Sequence, residues 1–406
     1  MKLEFGTDGI RGRAGHAPLT PEVIERLGFA AIQSISKQRP KVIVANDTRE
    51  SSSWIYQALS QGMKEAGADV LYAGVMPTAA VSCATVAEEA DLGIMITASH
   101  NPWYDNGLKF LDSTGKKLDK TKHRAIIVAF EAPATSKEPG TITESKALIE
   151  HWKKELPKPD LTGQTLLVDC ANGAAAFCAT EILSSLGAKV IQRGCEPNGR
   201  NINENVGALH PPKELKGASL GICFDGDADR IALVSPTGLL DGDDILWMFK
   251  DTVQGPLIGT VMSNGGLEEA LAGRLLRSAV GDSNVEIQMS VQNARIGAEP
   301  SGHVLFSDGL PTGDGLYTAL RLIQAVGLPL PSGGWTRWPI AKENIRYEGE
   351  RIDLSSLNEI DEARRSKQRV IVRYSGTEPV LRILVEGLDA EHHLQKISTA
   401  FRERSK

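Results

Sequence analysis

The chain has 406 residues, 45 Lys and Arg against 51 Asp and Glu, 41% hydrophobic residues and a formal net charge of −6 at pH 7, for a pI near 5.8. That length exceeds one ordinary core and points to two to four domains; the acidic balance speaks against a nucleic-acid partner, and no apolar run approaches a membrane span. The start, Met1 to Phe5, lacks the apolar core of a signal peptide, and five cysteines (Cys83, Cys170, Cys178, Cys195, Cys223) with no C-x-x-C pair read as reduced, buried thiols of a cytoplasmic protein, not a disulfide frame or zinc site.

The first motif in chain order is Phe5-Gly6-Thr7-Asp8-Gly9-Ile10-Arg11-Gly12. Its glycines fall at the wrong spacing for a dinucleotide fingerprint, and no Gly-Lys-Ser/Thr follows to make a P-loop. It reads as a loop carrying Arg11. Residues 41–45 then form a predicted strand, followed by the polar turn Asn46-Asp47-Thr48-Arg49, a helical stretch, Gly67-Ala68-Asp69-Val70 and a closing Gly74. The same order recurs from residues 166–169 through Ala171-Asn172-Gly173 and a helix to Gly187-Ala188-Lys189-Val190 and Gly194. A third, vaguer copy runs from residues 258–262 through Ser263-Asn264-Gly265-Gly266 and a helix to a strand at Val280-Gly281-Asp282. Strand, turn, helix and Gly-started strand make one βαβ unit used three times. Three related α/β domains with mixed sheets are therefore expected, followed by a smaller α+β domain with strands at 369–373 and 380–385 and helices near Glu359 and Ala390. The expected boundaries are 1–142, 143–236, 237–338 and 339–406.

Four motifs carry chemistry on this frame. The apolar run 92–96 reads as a buried strand and exits into Thr97-Ala98-Ser99-His100-Asn101-Pro102, with Lys109 soon after. A serine at a strand exit beside histidine and lysine suits phosphoryl or acyl transfer, although Ser-His-Asn-Pro is also a good turn and helix cap. A serine hydrolase is disfavoured, since adjacent residues rarely aim at each other as nucleophile and base. After the predicted strand 220–224 comes Asp225-Gly226-Asp227-Ala228-Asp229-Arg230. A loop can curl carboxylates at i, i+2 and i+4 around one hard cation, and Mg2+ is the usual ion where a phosphate is also held. An EF-hand is excluded by Arg230 and Pro236 at the positions that require glycine and glutamate. Glu299-Pro300-Ser301-Gly302-His303 offers donors and acceptors for a polyol on a bent loop, which is also what an ordinary polar loop looks like. Arg373-Tyr374-Ser375-Gly376-Thr377-Glu378-Pro379, with Arg382 beyond, is a turn whose arginines, hydroxyls and exposed backbone N–H groups could cradle a phosphate dianion.

In that order, the five segments resemble the α-D-phosphohexomutase superfamily over nearly the whole chain, from Phe5 to about Arg382. The resemblance implies an isomerase with its active site in a central cleft, acting on a small-molecule sugar phosphate with one Mg2+ and a sugar 1,6-bisphosphate primer, as a monomer or homodimer. It implies that Ser99 carries the phosphoryl group. Asp225, Asp227 and Asp229 would bind the metal together with a Ser99 phosphate oxygen. Glu299, Ser301 and His303 would grip the sugar hydroxyls. Arg373, Ser375, Gly376, Thr377 and Arg382 would hold the phosphate that is not transferred. Arg11 and Arg230 would add positive charge beside the phosphoserine, and Lys109 or His100 would serve as acid and base. For Lys109 taken alone, a strand-end surface lysine is the plainer reading, and His16 and His123 read as surface residues.

Residues 104–110 and 201–211 favour the glucosamine branch of the superfamily. Pro300, where that branch would carry glutamine, weighs against it, as do Ala298 for glycine and Ser283 for arginine; Tyr374 stands for a common proline, and the chain is short for the branch. A mutase for glucose or mannose phosphates therefore remains an alternative, as does a non-catalytic sugar-phosphate sensor.

Overall fold

The protein is described from a computed structural model covering residues 5–6, 9–135, 137–331, 334–375 and 379–405. The chain divides into two units, one within Met1–Met262 and Leu276–Ser332, the other within Ser263–Leu275 and Gly333–Lys406.

The larger unit is built on three sheets. In the first, β1 (Ile10–Arg13), β2 (Lys41–Asn46), β3 (Asp69–Val75), β4 (Leu92–Ile96), β5 (Asp105–Asp112) and β6 (Ile142–Glu144) lie in the order β1-β5-β4-β2-β3-β6. Strands β2, β3, β4 and β6 run parallel, while β5 is antiparallel to both β4 and β1. Every residue of β4 is buried, as expected for a central strand covered on both faces. The second sheet holds β7 (Thr165–Asp169), β8 (Lys189–Arg193), β9 (Leu220–Phe224), β10 (Ile231–Ser235) and β11 (Gly238–Leu240), ordered β11-β10-β9-β7-β8. The third holds β12 (Leu257–Thr260), β13 (Leu275–Ser278), β14 (Ile296–Ala298) and β15 (Val304–Phe306), ordered β13-β12-β14-β15. Mixed sheets were expected, and the parallel and hairpin-linked strands supply them.

The repeat is real in its first two copies. Strand β2 pairs parallel with β3 across helix Ser52–Glu65, as β7 does with β8 across helix Ala179–Ser185. Gly67 and Gly187 follow those helices at φ +94° and +99°, a left-handed conformation that a Cβ would penalise, which is why both copies place glycine there. The third copy departs from expectation. Gly281 is the N-cap of helix Asp282–Gln292 and starts no strand; the second strand is instead β13. The short helix Gly265–Ala270 belongs to the smaller unit. Only the glycine of Gly281-Asp282 matches the Gly-Ala-x-Val element of the first two copies, and an aspartate after glycine serves well in a first helical turn.

The smaller unit is α+β, as expected. Strands β16 (Ile340–Arg346), β17 (Arg369–Tyr374) and β18 (Val380–Glu386) form an antiparallel sheet, β16-β18-β17, covered by helices Asn358–Arg365 and Ala390–Arg404. Its own core includes Leu357, Leu381, Val385, Ile397 and Phe401.

Three smaller expectations are corrected. Residues 10–13 are a strand, not loop, recruited because β5 offers a free antiparallel edge. His123 is half-buried and stacked on Phe5, with ring centroids 4.4 Å apart. Cys195 is partly exposed while the other four cysteines are buried; all five are free. Among the described residues no helix is long and apolar enough to cross a membrane.

Candidate active site

Ser99 sits in the turn that joins β4 to β5. Its φ is +52°, a left-handed conformation that a residue with a Cβ adopts only when its surroundings over-determine it. Local sequence supplies part of that constraint. The Ser99 amide donates to Thr97 Oγ1 at 2.8 Å, and that hydroxyl donates in turn to Asp47 Oδ2 at 2.7 Å. The Ser99 side chain, almost fully buried, donates to Asp225 Oδ2 at 2.6 Å and lies 3.3 Å from His100 Nδ1. Burial, reinforced by Arg230 and Arg11, pushes the His100 imidazole down to about 4. It is therefore neutral at neutral pH and able to exchange a proton with the serine.

The three aspartates occupy the loop between β9 and β10, with Ala228 at φ +60° folding it back on itself. One oxygen from each of Asp225, Asp227 and Asp229 lies within 4.8 Å of the others, and all three residues are buried. Lys109, from the middle of β5, reaches into this cluster, donating to Asp227 Oδ2 at 2.6 Å and Asp229 Oδ2 at 2.5 Å. Its exposure is only 1%, so the surface-lysine reading fails. The Thr78 hydroxyl also donates to Asp227 Oδ2.

Buried like charges set the electrostatics. Burial, and then repulsion from Asp229 and Asp227, pushes the Asp225 carboxyl up to about 7. Burial acts the same way on Asp229, but Lys109, His303 and Arg230 together hold it well below the usual carboxylate range. Oδ1 of Asp227 and Oδ1 of Asp229 are buried with no hydrogen-bond partner. Buried carboxylate oxygens without partners are costly, and three convergent oxygen donors fit a hard divalent cation. The cluster is thus able to hold a metal ion.

Removing the Lys109 charge leaves these carboxylates buried and poorly compensated. Lys109→Met is expected to lower metal-free stability by about 3–5 kcal/mol, read from the denaturant midpoint; a loss below about 1 kcal/mol would mean the ion pairs contribute little.

The third sheet adds the predicted sugar loop, which closes β14 onto β15. His303 pairs through an isolated bridge with Arg230. Its Nδ1 lies 3.9 Å from Asp229 Oδ1, and its Nε2 lies 3.4 Å from Asp282 Oδ2, which also takes the Lys117 ammonium. These carboxylates raise its pKa against the opposing effect of burial. Glu299 is buried and accepts from the Gly281 amide at 2.9 Å, whereas Ser301 is exposed. Arg11, on β1, and Arg230 both bear on His100. Ser99, His100, Lys109, Arg11, the three aspartates, Arg230 and His303 are thus one neighbourhood, drawn from three sheets.

In the smaller unit, Arg373 and Arg382 face each other across β17 and β18. Ser375 is buried; its amide donates to Val380 O at 2.8 Å, and its carbonyl accepts from Arg351 at 3.1 Å. Gly376 and Thr377 lie outside the described residues.

The sequence reading missed Thr78, Asp282 and Lys117, and left Arg49 and Asn203 without a role. Arg49 and Asn203 both donate to the Ser99 carbonyl, at 2.8 and 2.9 Å. The available signal was an arginine in the polar turn of the first repeat where the second has none. Gly226 completes this packing, because a Cβ there would lie 2.5 Å from Ser99 O. Gly226→Ala should wedge serine and carboxylates apart and lower kcat about 10²-fold, as displacements near 1 Å do. Wild-type kcat in a folded variant would show that the turn yields freely.

Four family models match in order: Phosphoglucomutase/phosphomannomutase, alpha/beta/alpha domain I over residues 2–137, domain II over 146–238, domain III over 241–329 and the C-terminal domain over 339–403. A phosphoglucosamine mutase from Aliivibrio fischeri is 39% identical over 437 residues, covering 98% of each chain. In fold, the chain resembles a phosphoglucomutase/phosphomannomutase family protein from Burkholderia thailandensis (TM-score 0.77, 23% identity, 98% of this chain and 95% of that one). It also resembles Aspergillus fumigatus N-acetylphosphoglucosamine mutase, solved with GlcNAc-6P and magnesium (TM-score 0.70, 17% identity, 100% and 96% coverage). A serine held among buried carboxylates, four consecutive domain matches and a full-length relative lead to one assignment: the chain belongs to the phosphoglucomutase/phosphomannomutase family of phosphohexomutases.

Proposed function

We propose that this protein interconverts glucosamine 6-phosphate and glucosamine 1-phosphate through a phosphoserine at Ser99 and a 1,6-bisphosphate intermediate. The observation that carries the reading is the Ser99 hydroxyl 2.6 Å from Asp225, inside a cluster with two buried carboxylate oxygens that lack hydrogen-bond partners. Asp225, Asp227 and Asp229 would hold Mg2+, which when bound supplies positive charge to the transferring group. Full-length identity of 39% to a phosphoglucosamine mutase supports the choice of sugar.

In the first half-reaction the P–O bond to Ser99 Oγ breaks as a bond forms to a sugar hydroxyl oxygen. The proton of that hydroxyl ends on Ser99 Oγ, and the neutral His100 imidazole beside it is placed to pass it on. The bisphosphate then turns around and returns its other phosphoryl group to Ser99, with the proton moving in reverse. Lys109, pinned between two carboxylates, serves as fixed positive charge. Arg11 and Arg230 add to it, His303 and Glu299 orient the sugar with Ser301, and Arg373, Ser375, Gly376, Thr377 and Arg382 take the remote phosphate. A sugar 1,6-bisphosphate primes the serine, and the enzyme works in the cytoplasm as a monomer or homodimer.

Pro300 in the sugar loop favours the second reading, a preference for glucose or mannose phosphates. Initial rates on the three sugar phosphates, with Mg2+ and primer, decide between them. A kcat/KM for glucosamine phosphate at least about tenfold above the others is expected, within the range one polar contact supplies. The reverse order would transfer the mechanism to hexose phosphates, and no turnover on any substrate would favour a sensor.

A further inference from the structure

We infer that Arg49 and Asn203 form a clamp on the backbone of the Ser99 turn and act as positioning residues for phosphoryl transfer. The inference rests on Ser99 being the phosphoryl carrier.

Arg49 has a fully buried side chain whose two Nη atoms are spent on backbone carbonyls from both limbs of the turn. Nη2 donates to Ser99 O at 2.8 Å and Asn101 O at 2.9 Å. Nη1 donates to Asp105 O at 2.9 Å and also to Pro102 O. Nε is held at 2.9 Å by Asp47 Oδ2, the carboxylate oxygen that also receives Thr97 Oγ1. Asn203 arrives from the loop beyond β8. Its Nδ2 donates to the same two carbonyls, Ser99 O at 2.9 Å and Asn101 O at 3.1 Å. Both oxygens therefore receive one donor from the first sheet's domain and one from the second's.

The clamp has a task that the Ser99 hydroxyl cannot perform throughout the cycle. In the dephosphorylated enzyme, the hydroxyl donates to Asp225 and ties the turn to the carboxylate loop. Once Oγ carries a phosphoryl group it has no proton to donate, and that bond is lost. The attached dianion also repels nearby carboxylates. The carbonyl contacts involve no atom that changes during turnover. Asn203 shares a domain with the aspartates, so its amide keeps serine and carboxylates in register in both forms. Fixed geometry of this kind is where most of the barrier reduction in phosphoryl transfer comes from.

The test uses the full-length protein and three variants. Asn203→Gly removes the amide while suiting the backbone, since Asn203 sits at φ +60°. It is expected to lower kcat, and the single-turnover rate of Ser99 phosphorylation by a sugar 1,6-bisphosphate, about 10²-fold, with KM changed less than about threefold. Arg49→Ala should lose at least as much and regain about tenfold or more with added ethylguanidinium, a response that lost stability alone would not give. A folded Asn203→Gly enzyme with kcat within about twofold of wild type overturns the clamp, even if Arg49→Ala does not fold. Ser99→Ala, assayed alongside, separates the failures. If it retains turnover, the carrier reading falls; if it is inactive while Asn203→Gly is normal, only the clamp falls.

Discussion

Ser99→Ala should abolish mutase turnover, by about 10⁴-fold or more, while the fold persists. The loss is expected to be this large because a covalent carrier has no partial substitute. His100 and Lys109, the neighbouring candidates, are respectively angled from the next position and tied up by two carboxylates. The fold should survive because Ala fits the buried site, and the backbone at φ +52° is held by Thr97, Arg49 and Asn203, not by the side-chain oxygen. Losing the bond to Asp225 costs about 1–3 kcal/mol, so the melting temperature should fall by only a few degrees. Measuring kcat and thermal unfolding on the same preparation checks both halves. Residual turnover above about one hundredth of wild type would end the phosphoserine mechanism.

The legible parts of the site were those whose chemistry is contiguous in sequence. Asp225, Asp227 and Asp229 fall within five residues, and Ser99 and His100 are adjacent, so spacing alone placed them together. What escaped depends on which strands are neighbours. Arg49 belongs to the turn after β2, and it meets Ser99 only because β2 lies beside β4. Nearness to Ser99 in sequence names Lys109 as an acid or base, but its burial between the second sheet's Asp227 and Asp229 was not legible there. Asn203 and Asp282 become meaningful through contacts to other domains; the 201–211 stretch marked Asn203 only as a feature of the branch, and no local pattern gave either residue a role at the site. The same limit explains the third repeat. Letters such as Gly-Asp suit a strand start or a helix start, and tertiary packing chose the helix.

The second large effect is expected from Asp227→Asn, a change of one charge in a side chain of nearly constant shape. Asp227 Oδ2 is committed to Lys109 and Thr78, whereas Oδ1 is buried without a partner. The asparagine can keep its oxygen toward the lysine only by turning its NH2 group to where Oδ1 was. That replaces a ligand oxygen with a donor that cannot bind a cation. Apparent Mg2+ affinity should fall by about 10²-fold or more, and turnover at millimolar Mg2+ by about 10³-fold. The metal-free protein should be little destabilised, because removing one of three crowded carboxylates relieves repulsion that offsets the weaker contact to Lys109. The distinguishing measurement is therefore thermal unfolding with and without Mg2+. Wild type should gain stability on adding the ion, as any ligand that binds only the native state requires, and Asp227→Asn should not. A variant that keeps both the Mg2+-dependent gain and wild-type turnover would show that the ion, if needed, sits elsewhere. A variant that loses stability without Mg2+ would instead show that Asp227 matters chiefly as the partner of Lys109.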